Sequence, residues 1–227
     1  MVKILVACEA SQQVTKAFRK LGHTAFSCDT QPAYGGHADW HIKGDCVTIL
    51  NQGWDMMIAH PPCTYLTNAG NRWFNTERYG EKAHARWRLR VDAESFVKKL
   101  WQAPIPYIVI ENPVGWLNSH WRKPDQTIQP YQFGDYESKR TCLWLKGLPT
   151  LEYTTPLGKP KIYGYYKSGN HKGEPIYFHS HLLESFPSAR SRKRSETFPG
   201  VAAAMSSQWS FFVQKKGQIN VLQKNIG

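Results

Sequence analysis

Negative charge is scarce in this sequence. Asp and Glu number 17 against 29 Lys and Arg, which gives the 227 residues a formal net charge of +12. A chain with so few acidic residues is poorly suited to a cationic partner. The positive net charge predicts a polyanionic partner, most simply nucleic acid. Long apolar runs are also missing, since none approaches the roughly 20 residues of a membrane helix. We therefore expect no membrane contact.

Paired cysteine motifs are absent as well. The five cysteines are an odd number, and no two have the C-x-x-C spacing of a zinc site; they are Cys8, Cys28, Cys46, Cys63 and Cys142. The histidines match no metal-ligand spacing either, so no metal site is predicted. No signal-peptide pattern precedes the first apolar run, which favours a cytoplasmic protein with reduced thiols.

Apolar runs and helix-spaced apolar residues alternate along the chain. The predicted strands cover 2–8, 23–29, 54–60, 107–112 and 141–149, and the predicted helices lie within 10–22, 77–103 and 199–215. In the long helix, Val91, Phe96, Val97 and Leu100 form the predicted apolar side. Residues 161–173 interleave Tyr and Lys, which suits either base stacking or a β-hairpin. Short connections between alternating strands and helices predict an α/β fold with a mostly parallel sheet.

Four predicted strands end in polar or reactive residues. These ends are Cys8-Glu9, Asp29, the His60-Pro61-Pro62-Cys63 segment, and Glu111-Asn112. Because ligands of open parallel sheets bind at the carboxyl ends of strands, this pattern predicts a binding site there. Asp29 can accept hydrogen bonds from a ribose, or can simply close a turn; Asp45 leaves the same two possibilities.

Two side chains are candidates for catalysis. Pro61 and Pro62 stiffen the loop before Cys63, so the thiol is either a positioned nucleophile or a small buried residue after a turn. Glu111 follows an apolar run, which favours a raised pKa and a role as proton donor or hydrogen-bond partner. A carboxylate satisfied by neighbouring backbone donors is the alternative.

Five segments together resemble the DNA cytosine-5 methyltransferase family. "WDMMIAHPPCTYL" (54–66) resembles its Pro-Pro-Cys motif, and "VIENP" (109–113) its Glu-Asn-Val motif. "ESKRTCLWLKG" (137–147) is similar to its arginine-bearing strand, with Arg140 the best match. The remaining two are "VACEASQQVTKAF" (6–18), similar to the S-adenosylmethionine loop, and "FPGVAAAMSSQW" (198–209), similar to the C-terminal motif. More narrowly, the chain is similar to short methylase-like proteins of bacteriophages and prophages.

The resemblance implies a Rossmann-like S-adenosylmethionine-dependent methyltransferase fold with a reduced target-recognition insertion. It implies a catalytic domain over 1–148, a short recognition insertion over 149–195, and a C-terminal helix over 196–227 that returns to the catalytic domain. The implied activity is methylation of C5 in a cytosine flipped out of double- or single-stranded DNA.

The resemblance also assigns site residues. Cys63 would add to the base as a nucleophile, Glu111 would act at N3, and Arg140 would stabilise charge. The implied contacts to S-adenosylmethionine are Cys8, Glu9, Ala10, Ser11, Asp29, Asp45, Pro61 and Gly200. The implied contacts to substrate or DNA are Pro62, Asn112, Lys139, Arg190, Arg192, Lys193 and Arg194. The segment "RWRLR" (86–90) is a further candidate for DNA contact.

The chain departs from the family at two places. The cofactor loop "CEASQQ" (8–13) contains no glycine, and the region corresponding to the recognition domain is short. Two alternatives therefore stay open. One is a related pyrimidine-modifying enzyme that acts on a nucleotide or single-stranded DNA, or uses a different donor. The other is a methylase-like protein that binds DNA without catalysis.

Overall fold

A seven-stranded sheet forms the centre of the fold in the computed structural model, which describes residues 1–169, 171–177, 186 and 192–224. Its strands are β1 (Lys3–Ala7), β2 (Thr24–Asp29), β3 (His41–Lys43), β4 (Met56–Ala59), β5 (Tyr107–Pro113), β6 (Gln126–Ile128) and β7 (Thr141–Lys146). The order is β3-β2-β1-β4-β5-β7-β6. The first five strands pair in parallel, and β7 runs antiparallel to both β5 and β6.

Helices cover both faces of this sheet. They are α1 (Gln13–Lys20), α2 (Thr76–Tyr79), α3 (Glu81–Trp101), α4 (Trp116–His120), α5 (Pro199–Ala204) and α6 (Ser210–Lys224), with a π-helical turn (Met205–Trp209) joining the last two. Short 3₁₀ helices span Ala38–Trp40, Cys46–Ile49, Asn68–Phe74 and Pro130–Gln132. The predicted α/β fold with a mostly parallel, Rossmann-like central sheet is confirmed.

Two apolar clusters hold the helices onto the sheet. On one face of the sheet, Val14 and Phe18 of α1 pack with Val201 of α5 and with Trp209 of the π-helical turn. On the other face Val97 and Leu100 of α3 pack against the central strands. Strand β4 has four fully buried residues, as expected for a parallel strand covered on both sides.

The long predicted helix differs from the structure in two ways. A turn at Gly80, whose φ is 49°, separates α2 from α3, because a left-handed backbone cannot continue a right-handed helix. Val91, predicted to face the core, is 63% exposed, and its neighbour Arg90 is 3% exposed. Arg90 shares the buried helix face with Val97, seven residues further on.

Short elements account for the remaining differences. Strands β3 and β6 have three residues each and mixed polarity, so no periodic pattern predicts them. Residues 161–173 do contribute to an antiparallel hairpin, β8 (Ile162–Tyr165) with β9 (Pro175–Tyr177). Part of the predicted recognition insertion, at 170, 178–185 and 187–191, lies outside the described residues. In the described part of the chain, no helix combines the length and apolarity that crossing a membrane requires.

Candidate active site

The loop that carries Cys63 is fixed at both ends, by the end of β5 and by the segment that follows it. The Asn112 side chain donates from Nδ2 to the Pro61 carbonyl at 2.8 Å, and Asn112 is 1% exposed. At the other end of the loop, the Trp116 amide donates to the Leu66 carbonyl at 2.7 Å. A Cβ at Gly115 would collide with this same carbonyl, so the two segments lie in direct backbone contact.

Helix α3 holds the middle of the same loop with two arginines. Arg90 Nε donates to the Tyr65 carbonyl at 2.8 Å, and Arg86 Nη2 donates to the Thr64 carbonyl at 3.1 Å. The Arg90 guanidinium also lies 3.4 Å from the centre of the Phe74 ring. Burial and the charge of Arg86 lower the pKa of Arg90 to about 10.

The arginines of segment 86–90 also have a structural role, and the DNA contact predicted for this segment stays a prediction. Two of its three arginines point to the Cys63 loop, and Arg90 is buried, whereas Arg88 is exposed. Arg90 lies seven residues before Val97 and so shares a helix face with buried apolar residues. This spacing was the sequence feature that could have indicated a structural role for Arg90.

Glu111 and His60 pair at the ends of neighbouring strands. His60 Nδ1 lies 3.5 Å from Glu111 Oε2, and the side chains are 10% and 16% exposed. Burial raises the pKa of Glu111, but contacts with His60, the Lys139 charge and a hydrogen bond from Thr141 outweigh it and leave the pKa below its ordinary value. The predicted raised pKa of Glu111 is wrong, because the sequence did not show these partners.

Cys63 is an exposed residue, but protein surrounds much of its sulfur, which lies within reach of the charge on Glu111. Its pKa is raised, chiefly because surrounding protein displaces water from the sulfur and then because of the Glu111 carboxylate. The positive charges of Lys139 and Arg194 act in the opposite direction. The thiol form therefore predominates at neutral pH in this conformation.

Lys139 is the cation that acts on both candidate catalytic groups. Its charge lowers the pKa of Cys63 and of Glu111, and it lines a cavity with Glu111. Arg140, the predicted catalytic cation, is exposed beside the start of β7. The structure thus brings Cys63, Glu111 and Lys139 together.

A helical turn at 192–195 lies against this cluster. Lys139 Nζ donates to the Arg194 carbonyl at 2.8 Å, and the Arg192 guanidinium lies 4.8 Å from the centre of the Tyr34 ring. Arg192, Lys193 and Arg194 are exposed, as DNA contacts would require; Arg190 lies outside the described residues.

The cavity beside Glu111 is small. It is lined by Glu111, Ile128, Pro130, Lys139, Thr141, Thr197, Phe198 and Val201, and measures about 10 Å³. This is about the space of one water molecule.

The glycine-free loop after β1 adopts backbone conformations that glycine usually provides. Cys8 and Gln12 both have φ of 60°. The Gln12 side chain is fully buried and binds the backbone of His37 through both ends of its amide, at 2.7 and 3.1 Å. These bonds offset the cost of the left-handed backbone at Gln12.

The Glu9 carboxylate has a structural task. It accepts hydrogen bonds from the Val14 amide at 2.7 Å and from the Thr15 amide and hydroxyl at 3.2 and 2.6 Å. A carboxylate at the first turn of α1 satisfies donors that the helix cannot pair itself. Of the predicted cofactor contacts in this loop, Ala10 is partly accessible and Ser11 is 6% exposed.

The two predicted acids near β2 each close a turn. Asp29 Oδ1 accepts from the Gln31 amide at 2.8 Å, and Asp45 Oδ1 accepts from the Val47 amide at 2.9 Å. Neither bond uses Oδ2, so each carboxylate keeps an oxygen for a ligand hydroxyl or amino group. Both acids lie at the carboxyl side of the sheet, where the resemblance places them.

Three thiols meet between these acids, which the sequence did not indicate. Cys8 Sγ lies 4.0 Å from Cys46 Sγ, and Cys28 is fully buried. The hydrogen bond to Cys46 is the largest cause that raises the pKa of Cys8, and burial raises the pKa of Cys28 to about 12.

Gly200 begins α5 in a tightly packed position. Its amide donates to Asp135 Oδ2 at 2.8 Å, and a Cβ there would collide with the Phe133 carbonyl oxygen. The residue therefore fixes the start of the C-terminal helices against the segment before β7.

Comparisons with known proteins find likenesses among solved structures only. No family model matches the chain, and no curated protein matches it. Among solved structures, it is similar to the crystal structure of S. pombe Dnmt2 methyltransferase, with 14% sequence identity and a TM-score of 0.43. The similarity covers 66% of this chain and 51% of that one, so the chain spans about half the length of that methyltransferase.

Proposed function

We propose that this protein is an S-adenosylmethionine-dependent methyltransferase that acts on C5 of cytosine in DNA. The observation that carries the proposal is the anchored loop with its exposed Cys63. Four hydrogen bonds, from Asn112, Trp116, Arg90 and Arg86, hold residues 61–66 so that Cys63 lies near Glu111 and Lys139. A reactive group held this way loses little entropy when it meets a substrate.

The three groups suit addition to a pyrimidine. Carbon C5 of cytosine is a poor nucleophile until a thiolate adds at C6, and Cys63 supplies that sulfur. Glu111 acts at N3, where charge develops, and Lys139 stabilises negative charge on the sulfur and on the ring. Arg140, exposed beside Lys139, contacts the strand that carries the base.

The protonation states of Cys63 and Glu111 imply that a proton moves when substrate binds. Cys63 is a thiol and Glu111 a carboxylate before substrate arrives, because their pKa values are raised and lowered respectively. The thiol must therefore pass its proton to the nearby Glu111 carboxylate as the base binds, and Glu111 can then give that proton to N3. The positive charges of Lys139 and Arg194, which lower the pKa of Cys63, favour that loss.

The residues at the ends of β1 and β2 fit S-adenosylmethionine. Cys8 and Gln12 have the left-handed backbone conformation that glycine usually adopts in such a loop. Ala10 and Ser11 are small residues. These two residues would border the methionine part, and Asp29 Oδ2 would accept from the ribose. Asp45 would approach the adenine amino group. When bound, the cofactor supplies the methyl group.

DNA contact would come from the turn at 192–195. Its exposed arginines and lysine can neutralise phosphates, and the overall charge of +12 favours a polyanion. A base must leave the duplex to reach Cys63.

A trapping experiment tests this function. DNA that contains 5-fluorocytosine should form a covalent adduct with the wild-type protein in the presence of S-adenosylmethionine, because fluorine cannot leave C5 as the proton does. Cys63→Ser should form none, and Cys46→Ser, in the thiol cluster near β2, is a matched control for losing a sulfur. No adduct and no methyl transfer on duplex or single-stranded DNA would refute the proposal.

A methylase-like DNA-binding protein without activity is the second candidate. The raised pKa of Cys63 favours it. Calorimetry separates the two: binding of S-adenosylmethionine that Asp29→Ala weakens supports the enzyme. A folded protein that binds DNA but not the cofactor supports the second candidate, or an enzyme with another donor.

A further inference from the structure

Three basic side chains share one face of α1, opposite the face that packs on the sheet. Lys16, Arg19 and Lys20 have the i, i+3, i+4 spacing of neighbours on a helix surface, whereas Val14 and Phe18 are buried in the core. Arg19 and Lys20, in the last turn, suit the negative end of the helix dipole. Lys16 lies a turn earlier, so the dipole does not account for it.

The same three side chains line an open cleft. The cleft measures about 630 Å³, and His23, His37 and Trp40 also line it. Among the described residues, none that lines the cleft is acidic, so no carboxylate within it balances the positive charges. A lining of this kind favours an anionic ligand.

Arg19 is held in place before any ligand arrives. Its Nε donates to the Ala25 carbonyl at 2.7 Å, and its guanidinium lies 4.9 Å from the centre of the Phe26 ring and 4.6 Å from that of Trp40. Within the described part of the chain, its two Nη groups donate to no acceptor. A guanidinium fixed in this way loses little side-chain entropy when it binds a phosphate.

The loop that follows β2 connects this cleft to the turn at 192–195. The Gly35 carbonyl accepts from Lys16 Nζ at 3.5 Å. One residue earlier, the Tyr34 ring lies 4.8 Å from the Arg192 guanidinium. Positive side chains from α1 and from the turn therefore contact the same short stretch of this loop.

The turn continues the positive surface to Cys63. Lys139 Nζ donates to the Arg194 carbonyl at 2.8 Å, and the charges of both residues act on the thiol. Glu196, an acid next to the turn, lies 3.7 Å from Lys193 Nζ, so its charge is balanced locally. We call this surface the basic strip; it consists of Lys139, Arg194, Arg192, Lys16, Arg19 and Lys20.

We propose that the DNA strand that carries the target base continues from Cys63 along the basic strip to the cleft at α1, with its phosphates on these cations. The proposal rests on the cytosine-5 function argued above and deepens it by placing the partner's backbone on a surface outside the active site. Phosphates repeat at short, regular intervals along a strand, so a row of separate cations fits a polyanion better than a single small anion.

Two double variants test the strip. Lys16→Gln with Lys20→Gln removes two charges and leaves Arg19, which is bonded to β2, in place. Lys99→Gln with Lys123→Gln removes two charges from exposed positions near the end of α3 and before β6, at the opposite edge of the sheet from β3. Thermal midpoints check that both fold, and fluorescence anisotropy measures their affinity for single-stranded DNA at several salt concentrations.

The variant at α1 should bind a strand of about 24 nucleotides about tenfold more weakly than the wild type near 50 mM salt. The slope of log affinity against log salt should fall by about 1.4, because two single-strand phosphate contacts are lost. The loss should disappear for strands of about four nucleotides, which do not extend from Cys63 to α1. The control variant should match the wild type throughout. Equal affinities of the two double variants, or an equal loss for short and long strands, would overturn the strip.

Trapping with 5-fluorocytosine separates the strip from the function. The α1 variant should need about tenfold more DNA for half-maximal trapping, in step with its weaker binding. An unchanged DNA requirement would overturn the strip and leave the cytosine-5 function standing. A wild type that binds DNA but traps no cytosine would overturn the function instead. Binding of inorganic phosphate that the α1 variant loses, with DNA affinity unchanged, would assign the cleft to a small anion and overturn the strip.

Discussion

The Asn112 side chain donates a 2.8 Å hydrogen bond to the carbonyl oxygen of Pro61 and thereby joins the end of β5 to the loop that carries Cys63. Both residues are buried, and Pro61 itself has no amide hydrogen to offer. The position of the thiol therefore depends on Asn112, a residue of the neighbouring strand β5. Asn112 directly follows the candidate acid Glu111 on that strand.

Replacing Asn112 should loosen this loop. Asn112→Ala leaves the Pro61 carbonyl unpaired in a buried place, which should lower the free energy of unfolding by about 1–3 kcal/mol. Urea unfolding measures the loss. Asn68→Ala, at an exposed position in the following 3₁₀ helix, should change stability by less than about 0.5 kcal/mol. Equal stability of the two variants would show that the bond does not hold the loop.

Arg90 should matter for stability and its neighbour Arg88 should not. Arg90→Met removes bonds to the Tyr65 carbonyl and to Asn71 Oδ1, both 2.8 Å long, and should cost about 2–3 kcal/mol. Arg88→Met alters only an exposed side chain and serves as the matched control. Thermal unfolding compares the two, and similar midpoints would contradict a structural role for Arg90.

The reactivity of Cys63 should respond in opposite directions to its two charged neighbours. Glu111→Gln removes the negative charge that raises the pKa of Cys63, so alkylation by iodoacetamide near neutral pH should speed up. Lys139→Met removes a charge that lowers this pKa, so alkylation should slow. Mass spectrometry of the peptide that contains Cys63 gives both rates. Changes of the same sign in the two variants would contradict the electrostatic description.

Stability should fall at alkaline pH, partly because of Cys28. Its pKa is about 12 in the folded protein and about 8.5 in an unfolded chain, so the unfolded state loses the proton first. The stability that this group contributes is complete below the lower value and is lost between the two. The loss approaches about 1.4 kcal/mol per pH unit.

Two variants isolate this effect. Cys28→Ala should flatten the alkaline decline measured by urea unfolding at several pH values. Met57→Ala, on β4, removes another fully buried side chain that does not titrate, so it should lower stability at every pH and keep the slope. An unchanged slope in Cys28→Ala would exclude the thiol as the cause.

Apolar runs were enough to predict most of the sheet, because β1, β2, β4, β5 and β7 are buried on both faces. They failed where an element is three residues long, as in β3 and β6. They also failed at Arg90, where hydrogen bonds and aromatic rings allow a cation to occupy a core-facing position.

The site was predictable in outline only. The carboxyl ends of neighbouring parallel strands meet in space, so the closeness of Cys63 and Glu111 follows from their positions after β4 and on β5. Which of Lys139 and Arg140 faces the thiol depends on the backbone just before β7, which has no periodic pattern. The lowered pKa of Glu111 depends on contacts across strands that sequence spacing does not reveal.

The loop at 61–66 is held by residues from two separate parts of the chain, 86–90 and 112–116, and this has an evolutionary consequence. A change at Arg90, at Asn112 or in the packing around Gly115 alters the same short stretch of backbone. These positions cannot drift independently while the thiol keeps its place. Among descendants of this chain, we expect substitutions at 64–66, 86–90 and 112–116 to be inherited as correlated sets.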